Sequence, residues 1–296
     1  MNISFELIFA ALLLNGIFAI IAGWRRAVTS VGAATGFVVG AGILLLAGWT
    51  AWICLGAFFV TSSIASRIGL DRKSGIELIQ EKGSRRDALQ VLANGGVGLI
   101  AAVGFAISGV PFLLAATGVG IPGANLPSGA HLWLVALAAA FAEANADTWS
   151  SELGVLARHK PVSIISRRPI LPGMSGGVTG LGFLSAAAGA LLAAVVFAAG
   201  LAVLGGVNDL ARIGVDAGIV GISGWIGAVL DSVLGATVQP LYIRPGTGHL
   251  TEQRKDAGGL NARIRGIPLF TNDVVNFLST AAAAAIAAAA VAVIGA

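Results

Sequence analysis

The sequence predicts an all-α, polytopic membrane protein, a bundle of about eight transmembrane helices, and three observations predict it. Of 296 residues, 56% are apolar and 11% charged, where soluble domains carry about 25% charged residues. The mean hydropathy is +0.90. The apolar residues also gather into runs near the 20 or so residues that cross a bilayer, with most charges between them.

Eight runs are expected as spans, over roughly 3–23, 28–47, 50–66, 91–117, 131–149, 176–204, 217–237 and 270–295. The first has Glu6 before it and Arg25-Arg26 after it, the reverse of a cleavable signal, so it is read as a span. The third is short and ends in Thr61-Ser62-Ser63. With eight crossings, all 18 Lys and Arg residues except Arg212 fall on one side. The positive-inside rule makes that side cytoplasmic and puts both termini on the other. The expected location is a prokaryotic cytoplasmic membrane, with membrane lipids as neighbours. The net charge of +4 then belongs to cytoplasmic loops, not to a nucleic-acid surface.

The chain reads as one integral domain, 1–296, without an attached soluble domain. Its 42 glycines suit helices that approach closely in lipid, and Gly32-x3-Gly36-x3-Gly40 is one expected packing stripe. The single Cys54 excludes an intrachain disulfide and a cysteine metal cluster. Asp209, Arg212 and Asp216, in and after the loop opposite the basic side, are expected to be solvated or to cap a helix.

Chemistry concentrates at the end of the fifth run, Phe141-Ala-Glu-Ala-Asn-Ala-Asp-Thr-Trp-Ser-Ser-Glu-Leu-Gly154. A carboxylate in hydrocarbon costs about 2.5–3.5 kcal/mol on the mildest insertion scale. Helical spacing puts Glu143, Asp147 and Ser150/Ser151 on one face, and Asn145, Thr148 and Glu152 on another. Asp231 lies late in the seventh run and Asp273 begins the eighth, in Thr271-Asn272-Asp273-x2-Asn276. The topology brings these acids to one depth, where they suit a hard cation such as Mg²⁺ that also keeps waters and phosphate oxygens. Asp273 also suits a helix N-terminus on capping grounds alone.

A glycine turn, Gly173-Met-Ser175-Gly176-Gly177-Val178, precedes the sixth run and follows Arg158, Lys160, Arg167 and Arg168. Backbone N–H groups at such a turn can receive an anion. It is not a Walker A loop, because no Gly-Lys-Ser/Thr follows. Asn94-Gly95-Gly96-Val97 follows Lys82, Arg85 and Arg86 in a similar way, which suggests a weak parallel repeat, about 82–118 and 165–204. Two such turns would face one polyphosphate. Of the three histidines, His131 lies on the far side, and His159 and His249 lack a local partner signature. A Ser-His-Asp nucleophile and a histidine-built zinc site are therefore not expected.

These runs resemble a family of integral membrane proteins that includes the plant phytyl-phosphate kinase, prokaryotic relatives and an animal transmembrane protein of uncertain role. The resemblance is carried by Ala144-Asn-Ala-Asp-Thr-Trp-Ser-Ser-Glu-Leu-Gly154, Gln90-Val-Leu-Ala-Asn-Gly95, Gly173-Met-Ser-Gly-Gly-Val178, Asp231-Ser-x2-Gly235-Ala236 with Gln239, and Asn272-Asp-x2-Asn276-Phe277. Where the family reads Gly-Thr-Asn-Gly-Gly, this chain has Met174-Ser175 in the middle, so the expectation carried over is the backbone cradle.

The resemblance implies an enzyme: a Mg²⁺-dependent kinase that moves a phosphoryl group from a nucleoside triphosphate, CTP before ATP, to an isoprenyl or phytyl monophosphate, giving the diphosphate. The site would be on the cytoplasmic face. Asp147 and Glu143 would hold the metal as catalytic residues, with Asp231 and Asp273 completing its shell. Lys82, Arg85, Arg86, Asn94, Lys160, Arg168, Ser175, Gly176 and Gly177 would bind phosphates. Asn145, Thr148, Ser151, Glu152, Gln239, Asn272 and Asn276 would support them, and Trp149 and Tyr242 are base-stacking candidates. A homodimer is left open. The alternative function is an ion-coupled transporter or lipid flippase, since intramembrane acids also carry protons and ions.

Overall fold

The computed structural model describes residues 5–70, 85–108, 127–204, 207–256 and 258–294. These form seven α-helices: α1 Phe5–Trp24, α2 Ser30–Ala65, α3 Ala88–Ile107, α4 Ser128–Gly154, α5 Gly180–Ala199, α6 Leu210–Thr237 and α7 Asn272–Ile294. A π-helical turn, Gly200–Leu204, extends α5. Six of these helices are long and apolar enough to cross a membrane, and α4 is not among them because of the polar residues in its last turns. The outer half of the expected span 91–117 lies partly outside the described residues.

Helix starts follow local chemistry. Thr29 caps α2 by accepting from Gly32 N at 3.0 Å. Asp87 and Gln90 form a reciprocal capping box at α3, at 2.9 and 3.0 Å, which satisfies two otherwise orphaned donors. Asp209 caps α6 through Ala211 N and Arg212 N, as its position in sequence suggests. At α7 it is Thr271, not Asp273, that sits in the capping position, accepting from Val274 N at 3.5 Å.

Helix α2 is broken at Gly48, whose φ of 78° and ψ of −169° lie in a region essentially reserved for glycine. The limbs 30–47 and 49–65 fold back on one another. A Cβ at Gly40 would lie 3.7 Å from Leu55 Cδ2, whereas 15 residues of continuous helix would span about 22 Å. The expected spans 28–47 and 50–66 are thus the two limbs of one reversal.

α4 is the central element, packed against α2, α3, α5, α6 and α7. Every residue from Leu134 to Ala146 is buried. Small side chains make this possible, since lipid offers no hydrophobic drive between helices and close van der Waals contact must supply it. Gly189 of α5 meets the backbone of Asn145 and Ala146, Gly224 of α6 meets Ala142, and Gly98 of α3 seats the Phe141 ring. The stripe Gly32, Gly36, Gly40 behaves differently from expectation. Gly32 admits the Arg86 carbonyl, Gly40 admits the Asn15 amide, and Gly36 faces open space.

The fold is not purely helical. After α6 the chain forms a small cap: strands β3 Leu241–Ile243, β4 Leu250–Thr251 and β7 Ala262–Arg265 in the order β4-β3-β7, and a hairpin of β5 Lys255–Asp256 with β6 Gly259–Leu260. Before α5, β1 Val162–Ser163 pairs with β2 Gly177–Val178. Strands of two to four residues carry too little alternation to be read from sequence. The cap is pinned to α6 by Arg265 Nη2 donating to Gly235 O at 3.2 Å and by Ile267 N donating to Val238 O at 2.9 Å.

Candidate functional site

At one end of the bundle the C-termini of α2, α4 and α6 meet the N-termini of α3, α5 and α7 around a polar cavity of about 280 Å³. Three helix N-termini at one site favour anions there. Asp147, Thr148, Ser150, Ser151 and Glu152 reach the cavity from α4, Asp231 and Ser232 from α6, Asn272 and Asn276 from α7, and Arg86, Gln90 and Asn94 from α3 and the residues before it. The glycine turn, Gly173 to Gly177, forms another wall. Five stretches separated by up to 190 residues of sequence are thus brought to one place.

Asp231 is held by its neighbours. Its Oδ2 accepts from Ser279 Oγ at 3.2 Å and, with the Asn276 amide turned to suit both partners, from Asn276 Nδ2 at 3.1 Å. Glu152 accepts from Ser66 Oγ at 2.7 Å, which ties the end of α2 to the end of α4. Gln239 and Glu252, both buried in the cap, are joined at 3.0 Å, and Glu252 Oε1 accepts from Ser175 N at 2.8 Å. Glu252 and Ser66, with Gln90 and His159, lie on the cavity wall although the sequence reading gave none of them a role in the site.

Several expected ligands lie elsewhere. Glu143 is fully buried beneath the cavity, and neither carboxylate oxygen has a hydrogen-bond partner among the described residues. Asp273 is buried and does not line the cavity. Asn145 is a packing residue: it accepts from Thr61 Oγ1 at 2.7 Å and Ser62 Oγ at 3.3 Å, and donates to Gly189 O at 2.8 Å. Arg85 donates to Val28 O at 3.2 Å. Arg168 is exposed and away from the cavity, and Lys160 lines a shallower hollow beside it. Lys82 lies outside the described residues. Arg86 is the one Arg or Lys lining the cavity among those described. Its guanidinium lies 5.5 Å from the centre of the Phe58 ring. Burial lowers its pKa from the ordinary arginine range, and the Glu152 carboxylate pushes the other way.

The glycine turn is less open than expected. Met174 N donates to Leu171 O at 3.2 Å, Gly177 N donates to Met174 O at 3.1 Å and Ser175 N donates to Glu252, so three of the five amides from Gly173 to Gly177 are already used. Gly176, at φ 79°, packs so closely on α6 that a Cβ would lie 2.5 Å from Ala236 Cα. Asn94-Gly95-Gly96 lies inside α3, past its first turn, whereas Ser175-Gly176-Gly177 precedes α5, so the two runs occupy different places relative to their helices. Trp149 packs on Gly189 and Tyr242 is buried in β3, and neither lines the cavity. At the far end of the bundle Asp216 is buried rather than solvated, and its Oδ2 lies 2.9 Å from His131 Nε2.

No solved structure matches the chain. Protein PGR of Arabidopsis thaliana is 31% identical over 285 residues, 93% of each chain. An uncharacterised membrane protein of Methanocaldococcus jannaschii is 26% identical over 62% of this chain and 68% of its own, and one of Synechocystis is 24% identical over 89% and 82%. The family model for the integral membrane protein DUF92 matches residues 13–284, and the chain, with its apolar helices gathered around this cavity, belongs to that family.

Proposed function

We propose that the protein is a phosphotransferase that moves a phosphoryl group from a nucleoside triphosphate, CTP before ATP, to an isoprenyl or phytyl monophosphate. The observation that carries the reading is the meeting of Asp147 and Asp231, from two different helices, with Arg86 in one polar cavity at the edge of an apolar bundle. Among the described residues His159, the histidine on the cavity wall, makes no hydrogen bond to a serine or threonine hydroxyl. Phosphoryl transfer needs no such pair, because it runs on positioned phosphates and charge stabilisation.

The fit of Mg²⁺ can be tested on the acids. Among the described residues no group of three or more His, Cys, Asp and Glu is arranged to hold a metal, which argues against a four-carboxylate shell. Mg²⁺ commonly takes one or two carboxylates and fills its octahedron with waters and substrate phosphates. Asp147 and Asp231 suit that arrangement, with Glu143 behind them and Asp273 outside it. Held by Asp147 and Asp231, the ion would supply positive charge that offsets the charge of the phosphates. Arg86 would orient the acceptor phosphate, and Asn94, Asn272 and Asn276 would donate amide hydrogens to phosphate oxygens. In the transfer an acceptor phosphate oxygen bonds to the γ-phosphorus, the bond from that phosphorus to the β–γ bridging oxygen breaks, and the nucleoside diphosphate leaves. An acceptor already ionised needs little help from a base.

The same reading places the site on the cytoplasmic face of a prokaryotic membrane. The reversal at Gly48 supports eight passes, once its two limbs and α4 are counted with the other helices. Alternating passes would leave both termini at the end away from the cavity. An ion-coupled transporter or flippase is the second reading, favoured by one observation: the buried Glu143 carboxylate, for which no hydrogen-bond partner is found among the described residues.

The test is transfer of label from CTP or ATP to isoprenyl monophosphates by purified protein in detergent with Mg²⁺. Label in a lipid diphosphate, lost in Asp147→Asn, is the expected result. Folded protein that transfers nothing from either donor to any acceptor would overturn the kinase reading in favour of transport.

A further inference from the structure

A second cavity, of about 100 Å³, lies between α1, both limbs of α2, and α3. Its walls are apolar over nearly their whole length. α1 contributes Asn15, Phe18, Ala19 and Ala22, a spacing that puts all four on one helix face. At its rim it is bounded by Arg86, Gln90 and Asn94, which also line the polar cavity. One arginine and two amides therefore stand where an apolar groove opens into the candidate phosphate site.

The inner end of the groove is closed. Trp52 Nε1 donates to Asn15 Oδ1 at 3.1 Å, and Asn15 Nδ2 donates to Ala11 O at 2.8 Å. The Trp52 indole also meets the Phe18 ring edge-on, with centroids 5.6 Å apart. Between this floor and the rim, Gly36 and Gly56 face the groove, and a Cβ at either would meet nothing within 4 Å. From Trp52 to Phe59 the wall is two helical turns, about 10 Å.

Resting on the kinase reading, we infer that this groove seats the apolar tail of the lipid monophosphate next to its phosphate, with Gly36 and Gly56 leaving the room and the Asn15–Trp52 pair setting the floor. The enclosed volume is room for roughly seven to ten water-sized groups, at about 10–15 Å³ each. That is close to the first ten carbons of an isoprenoid chain, and a longer tail leaves sideways into the bilayer. Each buried methylene strengthens binding by about fourfold, so tail length within the groove is read as affinity. Arg86 faces both compartments and fixes where tail ends and phosphate begins.

The experiment uses the full-length protein in detergent with a series of isoprenyl monophosphates of five, ten, fifteen and twenty carbons. Wild type is expected to show an apparent KM that falls more than tenfold from five to ten carbons and changes little beyond. Gly56→Leu fills the groove and is expected to raise KM at least tenfold for ten carbons and longer, while leaving kcat and the five-carbon KM within about twofold. Gly36→Leu repeats the test from the other limb, and unchanged five-carbon kinetics report that each variant is folded. If both variants keep the wild-type KM at every length, the tail lies elsewhere and the inference fails while the kinase reading stands. If wild type transfers nothing, that reading fails, and the same lipids are titrated against thermal unfolding without nucleotide. Stabilisation that grows from five to ten carbons in wild type and is lost in Gly56→Leu keeps the groove as a lipid-phosphate site. Length-independent stabilisation, or none, rejects it.

Discussion

Glu252 and Ser175, 77 residues apart, are joined by a 2.8 Å hydrogen bond from the Ser175 N–H to the Glu252 carboxylate. The cap after α6 thereby holds the glycine turn before α5. Glu252→Ala would leave the Ser175 N–H and the Gln239 amide without this acceptor. A buried polar group left unpaired costs about 1–3 kcal/mol. A lower midpoint of unfolding in detergent is expected, together with a raised KM for nucleotide. An unchanged nucleotide KM would show that the turn does not touch the donor.

Among the described residues Arg86 is the one Arg or Lys that lines both cavities, and its planar fork suits a phosphate as an ammonium does not. Arg86→Lys keeps the charge and loses the paired geometry. The expected cost is 10–100-fold in KM for the lipid phosphate, from about 1.5–3 kcal/mol per charged hydrogen bond. Steady-state kinetics against acceptor concentration check it.

Asn145 ties α4 to α2 and α5 by three hydrogen bonds. Asn145→Ala is expected to lower stability by about 1–2 kcal/mol in total, at about 0.6 kcal/mol for each interhelical hydrogen bond in a membrane protein. Unfolding in mixed micelles measures it. Activity per folded molecule should stay near wild type, because the side chain lies outside the cavity.

Asp256 in the cap accepts from Gly258 N at 2.9 Å and from Asn261 Nδ2 at 3.3 Å, and its Oδ2 lies 2.7 Å from Arg244 Nε. Those contacts, with the Gly258 N–H foremost, hold its pKa below the usual carboxylate value. A depressed carboxylate contributes order that is complete above the unfolded pKa, near 3.9, and is lost as pH falls through the folded one. The cap should therefore stay ordered at neutral pH and loosen below about pH 4. Hydrogen exchange of residues 241–265, corrected for intrinsic rates, would show it, and Asp256→Asn should remove most of the pH dependence.

How much was legible depended on what each residue has to do locally. The polar end of α4 stood out because Asp147 and Glu152 break an apolar run, and their neighbours on the helix followed from its period. The expected runs 28–47 and 50–66 left Gly48 between them, but nothing in the sequence marked that glycine as the point of reversal. Glu252 gave no signal, since a carboxylate in a polar loop is ordinary until its partner is known. His131 and Asp216 each looked bland because their bond spans 85 residues. The amides of Ser175 and Gly177 were expected to face an anion, and only the folded turn reveals that Glu252 and Met174 already use them. Spacing also could not separate Glu143 from Asp147: both lie on one face, but one turn of depth puts the first under the cavity floor and the second on its wall.

The reversal at Gly48 leaves no connecting loop between the limbs of α2. Each limb is about one bilayer thickness long, so neither has a polar segment on the far side to stop it midway during synthesis. If both limbs cross, as the eight-pass reading has it, the pair would enter lipid together as a single hairpin. That makes the order of biogenesis dependent on one backbone angle, and it leaves that face of the protein without a site where a protease could cut or a topology reporter be spliced between the two limbs.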